Sequence, residues 1–149
     1  MSRKNARKYV LQSLYCWEIN GCAEDGDEEP RHLEMTGEGA VPYRELGPDD
    51  QFFAEALIEN VKKHREDLDG LLSRHLKNWS IRQISVVDKN IMRIAASELF
   101  FPVEEEDRAV IFNEAVELSK EFGGRDSYRF VNGVLTAAAE EKNETVSGD

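Results

Sequence analysis

The sequence predicts an all-α fold of six to seven helices, on three observations. Apolar residues recur at three- and four-residue intervals in successive segments, the spacing that lines one face of a helix. No stretch alternates apolar and polar residues over the length of a strand. Gly, Pro and acidic clusters separate most of the segments by short connections, as a helical bundle requires.

The first helix is expected from Ser2, at its cap position, to about Ile19. On a helical wheel Ala6, Val10, Leu14 and Trp17 share one face. Lys4, Lys8, Leu11 and Tyr15 share another, with Arg7 beside them, and Gly21 suits the stop. Residues 22–47 have no helical period and are rich in Gly, Glu, Asp and Pro. They are expected to form a solvated acidic insertion, and an acidic mimic of RNA is the functional alternative.

Gly47-Pro48-Asp49-Asp50 opens the next helix, with its acids at the positive end of the dipole and Phe53, Leu57 and Val61 as its stripe. Asp67 and Asp69 are expected to break it. Leu68, Leu71, Leu72, His75, Leu76 and Trp79 then follow helical spacing. Ser85-Val86-Val87-Asp88 resembles a capping box ahead of Ile91, Ile94, Ala95, Glu98 and Leu99, and Pro102 ends that helix. Four acids, Glu104 to Asp107, precede a stripe of Ile111, Ala115, Leu118 and Phe122, which stops at Gly123-Gly124. The last helix is expected from about Arg125 to Glu141, on Tyr128, Val131, Val134, Leu135 and Ala138, with a frayed tail over 143–149. The helices before and after Trp79 suit two subbundles sharing one core. Residues 1–142 are therefore read as a single domain interrupted by the acidic insertion.

The chain carries 30 acids against 19 lysines and arginines, a formal net charge of −11. Residues 23–50 hold a net −8 and residues 140–149 a net −3, so these two segments account for the whole excess. The first eight residues carry Arg3, Lys4, Arg7 and Lys8 with no acid. Charge this segregated leaves room for a basic site on an acidic protein. Lys4 and Lys8 lie one turn apart and Tyr15 falls on the same side. Phosphates need cations and unpaired bases need flat surfaces, so this stripe is a candidate RNA contact. The competing reading is a helical protein–protein interaction module whose basic start serves solubility.

Enzyme chemistry has no foothold in the pattern. There is no Gly-rich phosphate loop, HExxH or GxSxG. His32, His64 and His75 are too dispersed for a metal centre, and His75 belongs to a leucine stripe. Cys16 and Cys22 fit no redox or zinc spacing and read as free thiols. No cofactor is expected. Glu98, Arg93, Asn113, Glu114 and Glu117 are expected to make structural ion pairs. Asn132-Gly133 inside a helix is expected to mark close helix packing, with proximity to RNA as the alternative. No apolar run is long enough for a bilayer and no secretory leader opens the chain, so the expected location is cytoplasmic.

Four blocks in order resemble the NusB family. They are Arg3-Lys4-Asn5-Ala6-Arg7-Lys8 running into Leu11-Gln12-Ser13-Leu14-Tyr15, then Val87-Asp88-Lys89-Asn90-Ile91-Met92-Arg93-Ile94-Ala95 with Glu98-Leu99. Val110 to Leu118 and Phe122-Gly123 with Asp126 to Leu135 complete the set. The resemblance implies two three-helix subbundles and a transcription antitermination factor. It implies binding to boxA RNA of ribosomal RNA transcripts together with NusE, a small-subunit ribosomal protein, within the RNA polymerase antitermination complex. Self-association into a homodimer is a further possibility in such a family. Carried over by position, Arg3, Lys4, Arg7 and Tyr15 match the RNA-contacting first helix, and Asp126, Arg129 and Phe130 match a second part of that surface. Lys8 is added from the wheel. Lys4 and Asn5 stand where the family has arginines, and lysine lacks the planar fork of arginine. The partner surface is expected on the later helices. NusB-like domains also precede ribosomal RNA methyltransferases, but no Gly-rich cofactor loop follows the helices here.

Overall fold

Among the described residues six helices form where apolar spacing places them. The computed structural model describes residues 3–20 and 41–147, with side chains to 141. The helices are α1 (Lys4–Ile19), α2 (Pro48–Lys63), α3 (Arg65–Ser73), α4 (Val86–Phe100), α5 (Arg108–Phe122) and α6 (Ser127–Ser147), with 3₁₀ turns at Tyr43–Glu45 and Ile81–Gln83. No strand occurs among the described residues, and none of their helices is long and apolar enough to cross a membrane.

The start of α2 shows how sequence sets a boundary. Pro48 occupies the first turn, where its fixed φ suits the helix and its missing N–H costs nothing. Asp49 and Asp50 follow in that turn, and Lys62 and Lys63 occupy the last, each matching the sign of the helix dipole.

The centre of the fold is α4, which touches all five other helices. Every residue from Lys89 to Leu99 is buried. A helix covered on all sides must bury polar side chains, and each then needs a partner. Arg93 donates to both oxygens of Asp69 on α3, at 2.7 and 2.8 Å, and to Glu18 on α1. Lys89 reaches Glu18 at 2.7 Å and Asn90 reaches it at 3.2 Å. Burial pushes the Glu18 carboxyl up, but Lys89 and Arg93 outweigh it and hold it below the usual range. One carboxylate from α1 thus anchors three side chains of α4.

Several boundaries and pairings differ from expectation. The break after α2 falls at His64, and Asp67 and Asp69 lie within α3. His64 instead stacks on Phe101, centroids 3.8 Å apart. The leucine stripe is helical only to Ser73. Asn78 then takes a positive φ of 67°, a region Asn tolerates, and Trp79 is 56% exposed. A reciprocal capping box forms at Ser80 and Gln83. At Ser85 only half a box forms, the hydroxyl accepting from the Asp88 N–H at 3.1 Å. Glu98 pairs with Arg7, not with Arg93. The Asn132-Gly133 pair is exposed, and a Cβ at Gly133 would meet nothing within 4 Å, so close packing does not explain it. Helical backbone continues past Lys142 to Ser147, where fraying was expected. Ser2, Gly21, Cys22 and the acidic stretch 22–40 lie outside the described residues.

Candidate nucleic-acid interface

The basic start of α1 is presented differently from what the helical wheel implies. Arg7 is 2% exposed. Its Nε and Nη2 donate to the two oxygens of Glu98 at 3.0 and 2.8 Å, Glu106 lies 3.8 Å away, and the guanidinium stands over the Phe53 ring at 5.4 Å. Burial works against the charge on Arg7, yet Glu98 more than compensates and its pKa is raised. For Glu98, burial dominates and lifts the carboxyl above its usual range, with Arg7 opposing. This buried fork-to-fork pair commits Nε and Nη2 to Glu98 and leaves little of the guanidinium at the surface. Arg7, expected to contact RNA, is thus buried, and its side chain ties α1 to α4.

Arg3 and Lys8 sit nearer the surface but are also paired. Arg3 donates to both Glu104 oxygens at 2.9 Å and to Asp50 at 2.8 Å. Those hydrogen bonds, Glu104 first, raise its pKa further. Lys8 Nζ lies 3.0 Å from Glu121. Lys4 is exposed. Tyr15 is half-buried and packs against the core. Acidic residues far along the chain thus hold Arg3 and Lys8 where phosphates were expected to sit.

The second group, Asp126, Arg129 and Phe130, lies at the start of α6. Asp126 and Phe130 line a cavity of about 350 Å³ together with Trp79, Gln83, Ile84, Ser85, Asp88, Gly124, Arg125 and Ser127. Arg129 is exposed, donates to the Tyr128 hydroxyl at 2.9 Å and stands 5.5 Å from that ring, but does not line the cavity. Ser127 forms the floor. Its hydroxyl donates to Asp88 Oδ2 at 3.0 Å and accepts from the Gly124 N–H at 2.8 Å. This closeness requires Gly123, because a Cβ there would stand 2.7 Å from the Ser119 carbonyl oxygen and from Ser127 Cβ. The other Asp88 oxygen, Oδ1, is buried with no hydrogen-bond partner. A carboxylate oxygen in that condition is costly unless something donates to it.

The cavity therefore offers aromatic walls (Trp79 and Phe130), a cation (Arg125) and carboxylate acceptors. Those are the groups that stack on a base, meet a phosphate and accept from an exocyclic amino group. Trp79, Asp88 and Arg125 were missed from sequence. Trp79 read as a core position, and Asp88 as a helix cap.

A model of the NusB family matches residues 4–140. The chain belongs to the NusB family. A transcription antitermination protein NusB from Myxococcus xanthus is 35% identical over 96% of this chain and 98% of its own length. T. maritima NusB superposes with a TM-score of 0.77 at 30% identity, covering 95% of this chain and 92% of that one. A crystal structure of the antitermination factors NusB and NusE in complex with dsRNA superposes with a TM-score of 0.74 at 28% identity, over 93% of this chain and 96% of that one. This NusB fold thus carries the four family blocks on α1, α4, α5 and α6. The second and last meet at the α4 and α6 starts, through Asp88 and Ser127.

Proposed function

We propose that this chain is a non-catalytic transcription antitermination factor that binds boxA RNA of ribosomal RNA transcripts jointly with NusE, within the RNA polymerase antitermination complex. The observation that carries the RNA reading is the α4–α6 cavity. It is open, it has aromatic walls, and Asp126, Asp88 and Arg125 line it. The solved NusB–NusE–dsRNA complex of the same fold supports both partners. In this reading Lys4, Lys8 and Arg3 meet the RNA backbone, Arg3 and Lys8 by exchanging their own carboxylates for phosphates. Tyr15, Phe130 and Trp79 offer ring surface, and Asp126 and Asp88 accept from base edges. Arg129 lies beside the cavity as a further cation. Arg7 only positions α1.

The test is a titration of a boxA-like RNA with and without NusE, on the wild-type chain, on Lys4→Ala/Lys8→Ala, and on Trp79→Ala. Base–aromatic stacking contributes about 1–3 kcal/mol per base, so Trp79→Ala is expected to weaken binding by roughly fivefold to a hundredfold. NusE is expected to tighten RNA binding, and RNA to tighten NusE binding by the same factor. Unchanged RNA affinity in both variants, with folding intact, would remove this surface as the RNA site. The protein-interaction reading would then stand.

A further inference from the structure

Gly133 lies inside α6, a helix of 21 residues. A glycine inside a helix weakens it relative to alanine, because its backbone loses more freedom on ordering. Such a glycine ordinarily admits a close neighbour. Gly123 does so, with the Ser119 carbonyl oxygen and Ser127 Cβ each 2.7 Å from where its Cβ would stand. Gly133 has no such neighbour among the described residues: it is exposed, and a Cβ there would meet nothing within 4 Å. The fold gives no reason for a glycine at this position.

Its place on the helix supplies one. Arg129 and Phe130 precede it by four and three residues, so the three share one face of α6. Val131, Val134, Leu135 and Ala138, on the other side, are buried. Helical side chains lean toward the N-terminus and lie over the turn before their own Cα. A side chain at 133 would therefore lie over the turn that carries Arg129 and Phe130, and Phe130 lines the α4–α6 cavity. A base needs an open aromatic face and a phosphate needs an open cation. We propose that Gly133 is a positioning residue of the RNA surface, whose missing side chain lets a strand entering the cavity pass against α6 and reach Phe130 and Arg129. Gly133 itself bonds nothing and acts through the two residues it leaves uncovered. The inference rests on the RNA reading of the cavity.

The test separates helix stability from RNA affinity in the full-length chain. A labelled boxA-like RNA is titrated by fluorescence anisotropy against wild type, Gly133→Ala, Gly133→Leu and Gly70→Leu. Gly70 is the control, an exposed glycine of α3 whose Cβ would also meet nothing within 4 Å and which does not line the cavity. All three variants are expected to gain thermal midpoint, by up to roughly 4 °C. Gly133→Leu is expected to bind RNA more weakly by roughly fivefold to a hundredfold, the worth of one base–aromatic stack. Gly133→Ala should lose less, and Gly70→Leu nothing. With Phe130→Ala already in place, Gly133→Leu should cost less affinity than it does in wild type. A Gly133→Leu protein that is stabilised yet binds RNA as wild type does would overturn the proposal, as would an equal loss in Gly70→Leu. A lowered midpoint in the Gly133 variants would overturn it by giving the glycine a role in folding. Weakened NusE binding with RNA binding unchanged would overturn it in favour of a protein contact. Trp79→Ala distinguishes this failure from that of the cavity itself. RNA binding that is absent in wild type, or unchanged in both Trp79→Ala and Gly133→Leu, removes both readings, whereas weakening in Trp79→Ala alone removes only the role of Gly133.

Discussion

Arg7 decides between two roles for the first helix, and replacing it separates them. In Arg7→Ala the carboxylate of Glu98, 8% exposed, loses both guanidinium hydrogen bonds, at 3.0 and 2.8 Å. Breaking a buried pair from one side costs about 3–5 kcal/mol, because an uncompensated charge is left inside. A domain of this kind has a total stability of about 5–15 kcal/mol, so a large share of it would go. Urea unfolding at neutral pH measures the loss. The sign of its pH dependence is also fixed. Glu98 already titrates above the usual carboxylate range, with burial dominant and Arg7 opposing. Removing Arg7 removes the opposition, and the folded-state pKa rises further. A raised folded pKa contributes stability that is full below the unfolded value and is lost as pH rises through the folded value. The deficit of Arg7→Ala should therefore be largest at neutral pH and shrink as Glu98 protonates on acidification. Arg7→Met/Glu98→Leu, which removes both charges, should recover most of it. RNA affinity, measured where the variant is folded, should keep its salt dependence. With four phosphates neutralised by α1 the log–log slope on single-stranded RNA would be about −3, and with Arg3, Lys4 and Lys8 alone about −2. A folded Arg7→Ala protein with a pH-independent loss under about 1 kcal/mol and a shallower salt slope would refute the structural role and restore Arg7 as an RNA contact.

Four other outcomes follow from the same geometry. Glu104→Gln weakens the hold on Arg3, and since a partly exposed pair is worth about 0.2–1 kcal/mol, RNA affinity in a filter-binding assay should rise by up to roughly fivefold. A fall would contradict the carboxylate-for-phosphate exchange. Gly123→Ala forces a contact against the Ser119 carbonyl oxygen and Ser127, and overpacking of that kind costs about 1–3 kcal/mol by urea unfolding. Gly133→Ala meets open space and should stabilise by up to about 1 kcal/mol through helix propensity. Glu141, held below the usual range by Arg74 and His75, links the turn after α3 to α6. Its contribution is present above the ordinary carboxylate value and fades as pH falls through the depressed one, so Glu141→Gln should differ from wild type at neutral pH and converge with it in acid.

The residue pattern alone determined which segments are helices and which faces they bury. Ala6, Val10 and Leu14, Phe53, Leu57 and Val61, and Ile111, Ala115 and Leu118 all lie in the core, because helical periodicity is local information. Gly47-Pro48 and Gly123 marked ends for the same reason. Sequence order also brought out the family blocks, and Asp126 and Phe130 with them. Only tertiary structure decided what the charges do. Arg7 and Glu98 are 91 positions apart, and Arg3 and Glu104 are 101 apart. No period along the chain encodes such pairs, so a wheel that correctly placed cations on α1 had no means of showing that three of them already face carboxylates. The same limit hid Trp79. Its spacing continues a leucine stripe, yet the helix stops at Ser73 and the ring turns outward to line a cavity that exists only once α4 and α6 have met.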